Sequence, residues 1–203
     1  MKRAAIAALA TLGALATTVP DASASRLLTG YYEMSFPSGD TKNWVDNESW
    51  VGFSMEGRYF LKSNLSVGWS VGVHSLYEHV NGITELGRFD VSGDQYRNLN
   101  VFPILATGHA YLGEWEGTRP FVGMGAGVFA NRQLLDVGAY TVNLTEWQFG
   151  FSPEVGVIVP LEWDSRLTIH ARYHYPIEGG KYLDGRAHSF PFVSLGVGYG
   201  KGH

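Results

Sequence analysis

FGFSPEVGVIVPLEWDSRLTIHARYHY, residues 149–175, contains two runs of alternating side chains joined by the short stretch 163–165. In each run, large apolar residues alternate with residues that are small, polar or charged. The apolar set is Phe149, Phe151, Val155, Val157, Val159 and Leu161 in the first run, and Leu167, Ile169, Ala171, Tyr173 and Tyr175 in the second. A period of two is that of a β-strand, and so short a connection joins antiparallel strands. The stretch therefore predicts two paired strands, each with one apolar and one polar face.

The same alternation recurs along the rest of the chain. It predicts eight strands, at about 26–36, 49–61, 65–77, 98–112, 120–131, 147–162, 166–175 and 189–200. Four connections are long, namely 37–48, 78–97, 132–146 and 176–188, and they alternate with the shorter connections 62–64, 113–119 and 163–165. Outer-membrane barrels combine short periplasmic turns with longer extracellular loops. The pattern predicts an all-β chain forming an eight-stranded antiparallel up-and-down transmembrane β-barrel.

The side-chain sets decide which face of each strand is inside. In the third predicted strand, Leu65, Val67, Trp69, Val71 and Val73 alternate with Ser66, Gly68, Ser70, Gly72 and His74. A soluble barrel would turn the second set to water, but that set is too small and glycine-rich to make a good solvent face. It suits the narrow interior of a small barrel better. We therefore expect the apolar set to face lipid.

The N-terminus has the features of a secretory signal peptide. Lys2 and Arg3 precede a run of apolar and small residues at 4–16, and Ala22-Ser23-Ala24 fits the small-x-small cleavage pattern. The alternative, a membrane anchor, is disfavoured because the run is shorter than the ~20 apolar residues that a spanning helix needs. We predict a signal peptide at 1–24 and an outer-membrane barrel at 25–203.

Composition excludes several classes of function. The chain has no cysteine, which removes disulfides, thiolate metal sites and cysteine nucleophiles. Its formal net charge is −4, so no basic surface for nucleic acid is expected. His170 and His174 share a face, but four residues along a strand separate them by about 13 Å, too far to chelate one ion together. No cofactor and no metal are predicted.

Aromatic side chains cluster near the predicted strand ends, as in the interfacial girdles of membrane barrels. Those near the long loops are Trp50, Tyr77, Trp147 and Tyr175, and those near the turns are Tyr59, Tyr111, Trp115, Trp163 and Tyr199.

Three stretches resemble a known family. PFVGMGAGVF at 120–129, the paired strands within 149–175 and the closing VSLGVGYG at 193–200 are similar to strands of the OmpA-like transmembrane domain, of OmpX and of the opacity-type adhesins. The resemblance implies a barrel in the outer membrane of a Gram-negative bacterium with a structural or surface-interaction role. It also implies contact with outer-membrane lipid, lipopolysaccharide and the barrel-assembly machinery. Because the shared residues are strand residues, it implies architecture more than activity.

Ionisable residues are concentrated in the inward-facing set. The predicted network in the lumen consists of Glu33, Glu56, Arg58, Glu154, His170, Arg172 and His174. Buried charges must be paired, because desolvation without a partner costs several kcal/mol. The network is interpreted as a plug that closes the lumen. A small gated pore is the alternative, since rearranged ion pairs could open a thin water path.

An enzyme is the third hypothesis, since outer-membrane lipid A deacylases are also eight-stranded barrels. Their pattern places a serine two residues after a late-strand histidine, whereas His174 is followed by Tyr175 and Pro176. His188 and Ser189 are adjacent and would point to opposite faces of an extended chain. No catalytic residue is therefore predicted. The remaining candidates for function are the long loops, whose acidic and aromatic residues could contact an extracellular protein or glycan.

Overall fold

The computed structural model describes residues 26–86, 89–114, 116–137, 140–177, 179 and 189–202. The predicted signal peptide at 1–24 lies outside these residues. The strands are β1 (Arg26–Pro37), β2 (Gly52–Lys62), β3 (Leu65–Leu86), β4 (Phe89–Tyr111), β5 (Arg119–Val137), β6 (Tyr140–Pro160), β7 (Ser165–Pro176) and β8 (Phe192–Gly202), with one short helix, α1 (Thr41–Trp44), between β1 and β2. The described helix is too short and too polar to cross a membrane.

The eight strands form a closed antiparallel barrel in which each strand pairs with the next and β8 pairs with β1. This confirms the predicted eight-stranded up-and-down architecture. At the closure, Tyr31 lies opposite Gly198 and Glu33 lies opposite Gly196. A Cβ atom on either glycine would collide with a ring in the lumen, that of Tyr31 or that of His170. The glycines of the last strand therefore make room for large interior side chains.

The barrel is polar inside and apolar outside, as the alternation predicted. On β6 and β7, Val155 and Ile169 are 55% and 45% exposed, whereas Glu154 and Arg172 are 3% and 2% exposed. Water-soluble domains show the reverse arrangement, with charges outside and apolar residues inside. An exterior of this kind is suited to lipid.

Two of the predicted long loops are in large part strand. Within 78–97, β3 continues to Leu86 and β4 begins at Phe89, and within 132–146, β5 continues to Val137 and β6 begins at Tyr140. These hairpins were predicted to be loops because strand residues that lie beyond the membrane need no apolar, lipid-facing side, so their sequence shows no alternation. A strand needs only ~9–11 residues to cross the membrane, whereas β3 and β4 contain 22 and 23 residues. The hairpins therefore project well beyond the lipid.

The interior also contains apolar residues that the sequence analysis did not predict to face inward. They form two clusters, one at each end of the lumen. The loop-side cluster consists of Val45, Leu76, Leu99, Val101, Leu105, Phe129, Phe190 and Phe192. The turn-side cluster consists of Leu27, Phe60, Tyr111, Phe121 and Ile158. The charged part of the lumen lies between them.

The first and last connections complete the loop-side cluster. The chain after β1 turns back through α1, and Ser35 and Ser49 exchange backbone hydrogen bonds of 2.8 Å. This places Val45, which is fully buried, over the barrel, and Phe190 reaches the same cluster from the segment before β8. The loop end of the barrel is thus covered by its own connections.

Candidate functional site in the barrel interior

All seven residues of the predicted network lie inside the barrel. Each is at most 3% exposed: Glu33, Glu56, Arg58, Glu154, His170, Arg172 and His174. They come from two pairs of consecutive strands, β1 with β2 and β6 with β7. The two pairs are far apart in sequence and come together because the sheet closes. Six of them form one connected group, and His174 lies in an adjoining layer.

Arg172 stands at the centre of the group. One of its terminal nitrogens lies 2.7 Å from a carboxylate oxygen of Glu56 and 2.5 Å from one of Glu154, while its Nε donates to Glu154 at 3.0 Å. Its other terminal nitrogen donates to the Ser70 hydroxyl at 3.0 Å. Glu154 and Arg172 face each other directly in the β6–β7 ladder, whereas Glu56 is reached across the lumen.

Arg58 contacts the same two carboxylates. Its Nε lies 2.7 Å from Glu56, and one terminal nitrogen lies 3.3 Å from Glu154. The terminal nitrogens also donate to the hydroxyls of Tyr31 and Tyr111, both at 3.3 Å. Two guanidinium groups and two carboxylates thus form a closed arrangement in which each charge contacts both charges of opposite sign. Buried ions are tolerated only with such pairing.

His170 connects this arrangement to the third carboxylate. Its Nδ1 lies 2.8 Å from Glu154 and its Nε2 lies 3.6 Å from Glu33. The ring stacks on Tyr31, with the centroids 4.5 Å apart and the planes inclined by 6°. His170 is therefore held between two carboxylates by geometry that a bulkier residue at Gly196 would disrupt.

His174 does not contact an acidic side chain of the group. Its Nδ1 lies 3.1 Å from the Ser152 hydroxyl and its Nε2 lies 3.2 Å from that of Ser194. The ring stacks on Phe192 at 4.4 Å and meets the edge of Phe129. It belongs to the boundary between the charged group and the loop-side apolar cluster.

Two interior histidines were absent from the predicted network. His109 approaches Glu56 at 3.1 Å and Glu154 at 3.4 Å, and His74 approaches Glu33 at 3.7 Å. His74 had the inward phase in the sequence, so its position could have been inferred. His109 lies opposite Ser66 in the β3–β4 register, and that register is not readable from the sequence of either strand alone.

Serine–histidine contacts of the kind used in nucleophilic catalysis also occur in the lumen. The Ser35 hydroxyl lies 2.9 Å from His74 Nδ1, and Ser152 makes the contact with His174 described above. Both serines are fully buried. A substrate would have to pass the loop-side apolar cluster to reach them. Of the other pair considered, His188 lies outside the described residues, and the Ser189 hydroxyl donates to the Pro176 carbonyl.

The exterior carries two aromatic girdles. Trp50, Tyr77 and Trp147 are more than half exposed at the loop side, as are Trp163 and Tyr199 at the turn side. Tyr111 was predicted to belong to the turn-side girdle, but it is 3% exposed and points into the lumen, where it contacts Arg58. Trp115 lies outside the described residues.

Comparison with solved structures confirms the fold. OprG from Pseudomonas aeruginosa superposes with a TM-score of 0.57 at 13% identity, over 89% of this chain and 96% of that chain. Neisserial surface protein A gives 0.54 at 14% identity over 87% and 96%, and Ail from Yersinia pestis gives 0.53 at 9% identity over 89% and 99%. No family model matches the sequence, and no curated protein matches it. The chain has the fold of the small outer-membrane β-barrels.

The location of the protein follows from its surface together with its fold. A closed barrel with an apolar exterior, a charged interior and an aromatic girdle at each rim is an integral membrane structure. OprG, which has this fold, is an outer membrane protein, and small barrels with an apolar exterior belong to the bacterial outer membrane. The predicted localisation in the outer membrane is confirmed.

Proposed function

We propose that this chain is a non-conducting, non-enzymatic outer-membrane barrel that supports the envelope and makes surface contacts through its projecting hairpins. The observation that carries the proposal is the sealing of the lumen. The charges of Arg58, Arg172, Glu56 and Glu154 neutralise one another, and an apolar cluster closes the lumen on each side. An eight-stranded barrel is just wide enough for side chains to fill it.

The β3–β4 and β5–β6 hairpins project beyond the lipid and are the part of the chain that can contact other molecules. Pairing of β2 with β3 ends at Gly52 and His74, and pairing of β6 with β7 ends at Gly150 and Pro176. Beyond these points β3, β4, β5 and β6 form a four-stranded extension. Among the described residues, no further strand pairs with the outer sides of β3 and β6 over most of this extension. An edge strand presents unpaired N–H and C=O groups and can add a strand from another chain. This supports contact with an extracellular protein.

The similar folds are compatible with a surface role. One is described as a surface protein and another as the attachment invasion locus protein. At identities of 14% and below, the likeness concerns the fold, so the partner of this chain has to be found by experiment.

Hairpin shortening tests the surface role. Val80 and Gln95 face each other in the β3–β4 ladder, so the segment between them can be replaced by an Asn-Gly turn without changing the register. Bacteria producing the full and shortened chains would be applied to arrays of immobilised matrix proteins and glycans. We expect the full chain to confer adhesion and the shortened chain, folded to the same extent, to lose it. Adhesion that survives shortening of both the β3–β4 and the β5–β6 hairpin would refute the proposal.

A small gated pore is the second candidate, and planar bilayers distinguish the two. If the ion pairs close the lumen, the purified barrel should give no reproducible channel events. Conductance steps that change size in Arg172→Met would show that the lumen conducts and that the ion pairs gate it. An enzyme would be recognised by altered lipid A in the mass spectrum of cells that produce the chain.

A further inference from the structure

Two histidines and a glutamate from three different strands meet below the loop-side apolar cluster. Glu33 comes from β1, His74 from β3 and His174 from β7. One ligand-type atom from each lies within 4.8 Å of those from the other two. All three side chains are at most 1% exposed. This group is connected to the paired arginines and glutamates at the centre of the lumen only through the contact of Glu33 with His170.

Glu33 differs from the other two lumen carboxylates in its partners. Glu56 and Glu154 each contact two guanidinium groups, whereas no lysine or arginine of the described chain lies within 4.0 Å of Glu33. Its Oε1 accepts a hydrogen bond from Ser54 and faces His170. Its Oε2 is buried without a hydrogen-bond partner and is aimed at His74 Nε2, 3.7 Å away. A buried carboxylate oxygen without a hydrogen-bond partner is costly, so Oε2 is available to a further ligand.

Serine hydroxyls hold both imidazoles in place, and His74 is directed at Glu33. The Ser35 hydroxyl holds His74 by Nδ1, which leaves Nε2 directed at Glu33. Ser152 and Ser194 hold the two nitrogens of His174, and either nitrogen can exchange its serine for another ligand. His74 thus has the arrangement of a metal-bound histidine, whose second ring nitrogen is bonded to an oxygen of the surrounding shell. His174 would reach the same arrangement on releasing one of its two serines.

We propose that Glu33, His74 and His174 bind one divalent transition-metal ion of the zinc class. Two imidazoles and a carboxylate form a common ligand set for Zn²⁺, with bonds of about 2.0–2.2 Å. Tetrahedral bonds of that length place neighbouring ligand atoms about 3.4 Å apart. The observed spacing therefore has to contract by no more than about 1.4 Å, which small side-chain rotations can supply. Ser194 or a water molecule would complete the shell.

The second cluster of possible metal ligands in the lumen serves as an internal control for metal binding. Glu56, His109 and Glu154 also have ligand atoms within 4.8 Å of one another, and they are also buried. Both carboxylates there already bind Arg58 and Arg172. A metal ion at that point would be repelled by two guanidinium groups, so we expect it to remain metal-free.

Binding of the ion would connect three strands across the barrel. Phe192 and Phe129 cover the site from the loop side, and an apolar shell of this kind limits exchange with solvent. We therefore expect the ion to be incorporated during folding and to be retained afterwards. Its role would be structural, joining β1, β3 and β7 at the level where the barrel meets its loops.

The test uses untagged chain, unfolded with a chelator and refolded into detergent micelles with or without ZnCl₂. After gel filtration through a chelator, elemental mass spectrometry should find one zinc per folded chain. The midpoint of thermal unfolding should be higher for the zinc-loaded protein, because the ion binds only the folded state. Refolding with Co²⁺ should give the visible absorption of a tetrahedral nitrogen and oxygen site.

Variants locate the ion. In His74→Gln and His174→Gln we expect zinc affinity to fall at least tenfold, and in Glu33→Gln, which is nearly isosteric, we expect the same loss with the barrel still folded. His109→Gln, in the second cluster, and His79→Gln, at an exposed histidine beside Asp94, should keep one zinc. Failure of the wild-type chain to retain zinc would overturn the proposal. Retention of zinc by folded Glu33→Gln would overturn it as well.

Discussion

Removal of the Glu154 charge should destabilise the barrel through Arg172. In Glu154→Gln, Arg172 loses the carboxylate that it contacts at 2.5 and 3.0 Å, and His170 loses its partner at 2.8 Å. Removing one partner of a buried ion pair typically costs about 3–5 kcal/mol. Arg172 keeps Glu56 at 2.7 Å, so we expect a loss of about 3 kcal/mol, at the lower end of that range.

The double variant separates pairing from packing. Arg172→Met alone leaves Glu56 and Glu154 to share Arg58, and should cost about 3–5 kcal/mol. When Glu154→Gln is added, one charge of each sign has been removed and the other pair, Arg58 with Glu56, remains at 2.7 Å. We expect the double variant to be more stable than the sum of the single effects by about 2 kcal/mol, within the range found for contacting residues.

The measurement is equilibrium unfolding by urea in lipid vesicles, followed by tryptophan fluorescence and by heat-modified mobility on gels. Glu162→Gln, at an exposed position in the β6–β7 turn, is the matched control, and its free energy of unfolding should change by less than about 0.5 kcal/mol. Strictly additive effects in the double variant would mean that Glu154 and Arg172 do not interact. Unchanged stability in both single variants would mean that these side chains are not buried together.

Two further predictions concern the exterior. Ile169 and Val142 are 45% and 46% exposed, but only Ile169 lies at the level of the lipid. Ile169→Arg should therefore cost about 2–4 kcal/mol and Val142→Arg less than about 0.5 kcal/mol, and equal costs in vesicles would contradict the membrane boundary. For topology, single cysteines replacing Asn47 and Asp94 should react with an impermeant thiol reagent on whole cells. A cysteine at Ser63 should react only after the outer membrane is opened, and the reverse pattern would invert the orientation.

The faces of the strands could be predicted because the side-chain period of a strand is fixed at two. On β7 the alternation is complete over the nine residues 167–175. His170, Arg172 and His174 could therefore be assigned to the interior without knowledge of any partner strand. The three-residue connection at 163–165 also limits the register of β6 against β7. A connection at 163–165 would place Glu154 opposite His174. In the structure β6 ends at Pro160 and β7 begins at Ser165, and Glu154 lies opposite Arg172. The sequence therefore limited this register to within two residues but did not identify the pair.

The apolar clusters inside the barrel could not be inferred in the same way. In β4, Ile104 and Leu105 are adjacent and both apolar, yet Ile104 is 48% exposed to the exterior and Leu105 is 2% exposed in the lumen. Alternation indicates the face of a residue only where the two sets differ in polarity. Near the ends of the lumen they do not differ, because the interior there is packed with apolar side chains. The contacts across the lumen, such as that of Arg172 with Glu56, could not be predicted from the sequence either, because they depend on closure of the sheet.

The length of β3 to β6 escaped prediction for a different reason. Outside the lipid, a strand needs a hydrogen-bonded neighbour but no apolar face, so its sequence resembles that of a polar loop. Glu78 pairs with Arg97 and Asn81 with Asp94 in the β3–β4 ladder, and neither pair has the composition of a membrane strand. The loss of alternation near residue 78 therefore marks the edge of the lipid and not the end of the strand.

The positions of the apolar clusters explain how a charged interior can stabilise the barrel. The turn-side cluster packs against the charged group directly, since the Arg58 guanidinium lies 4.4 Å from the centroid of the Phe121 ring. Excluding water from both sides lowers the local dielectric constant, which strengthens each paired contact and raises the cost of losing one. Stability is thus concentrated inside the membrane-spanning part. The hairpins beyond it can then change in sequence, and acquire or lose a binding partner, without weakening the barrel that carries them.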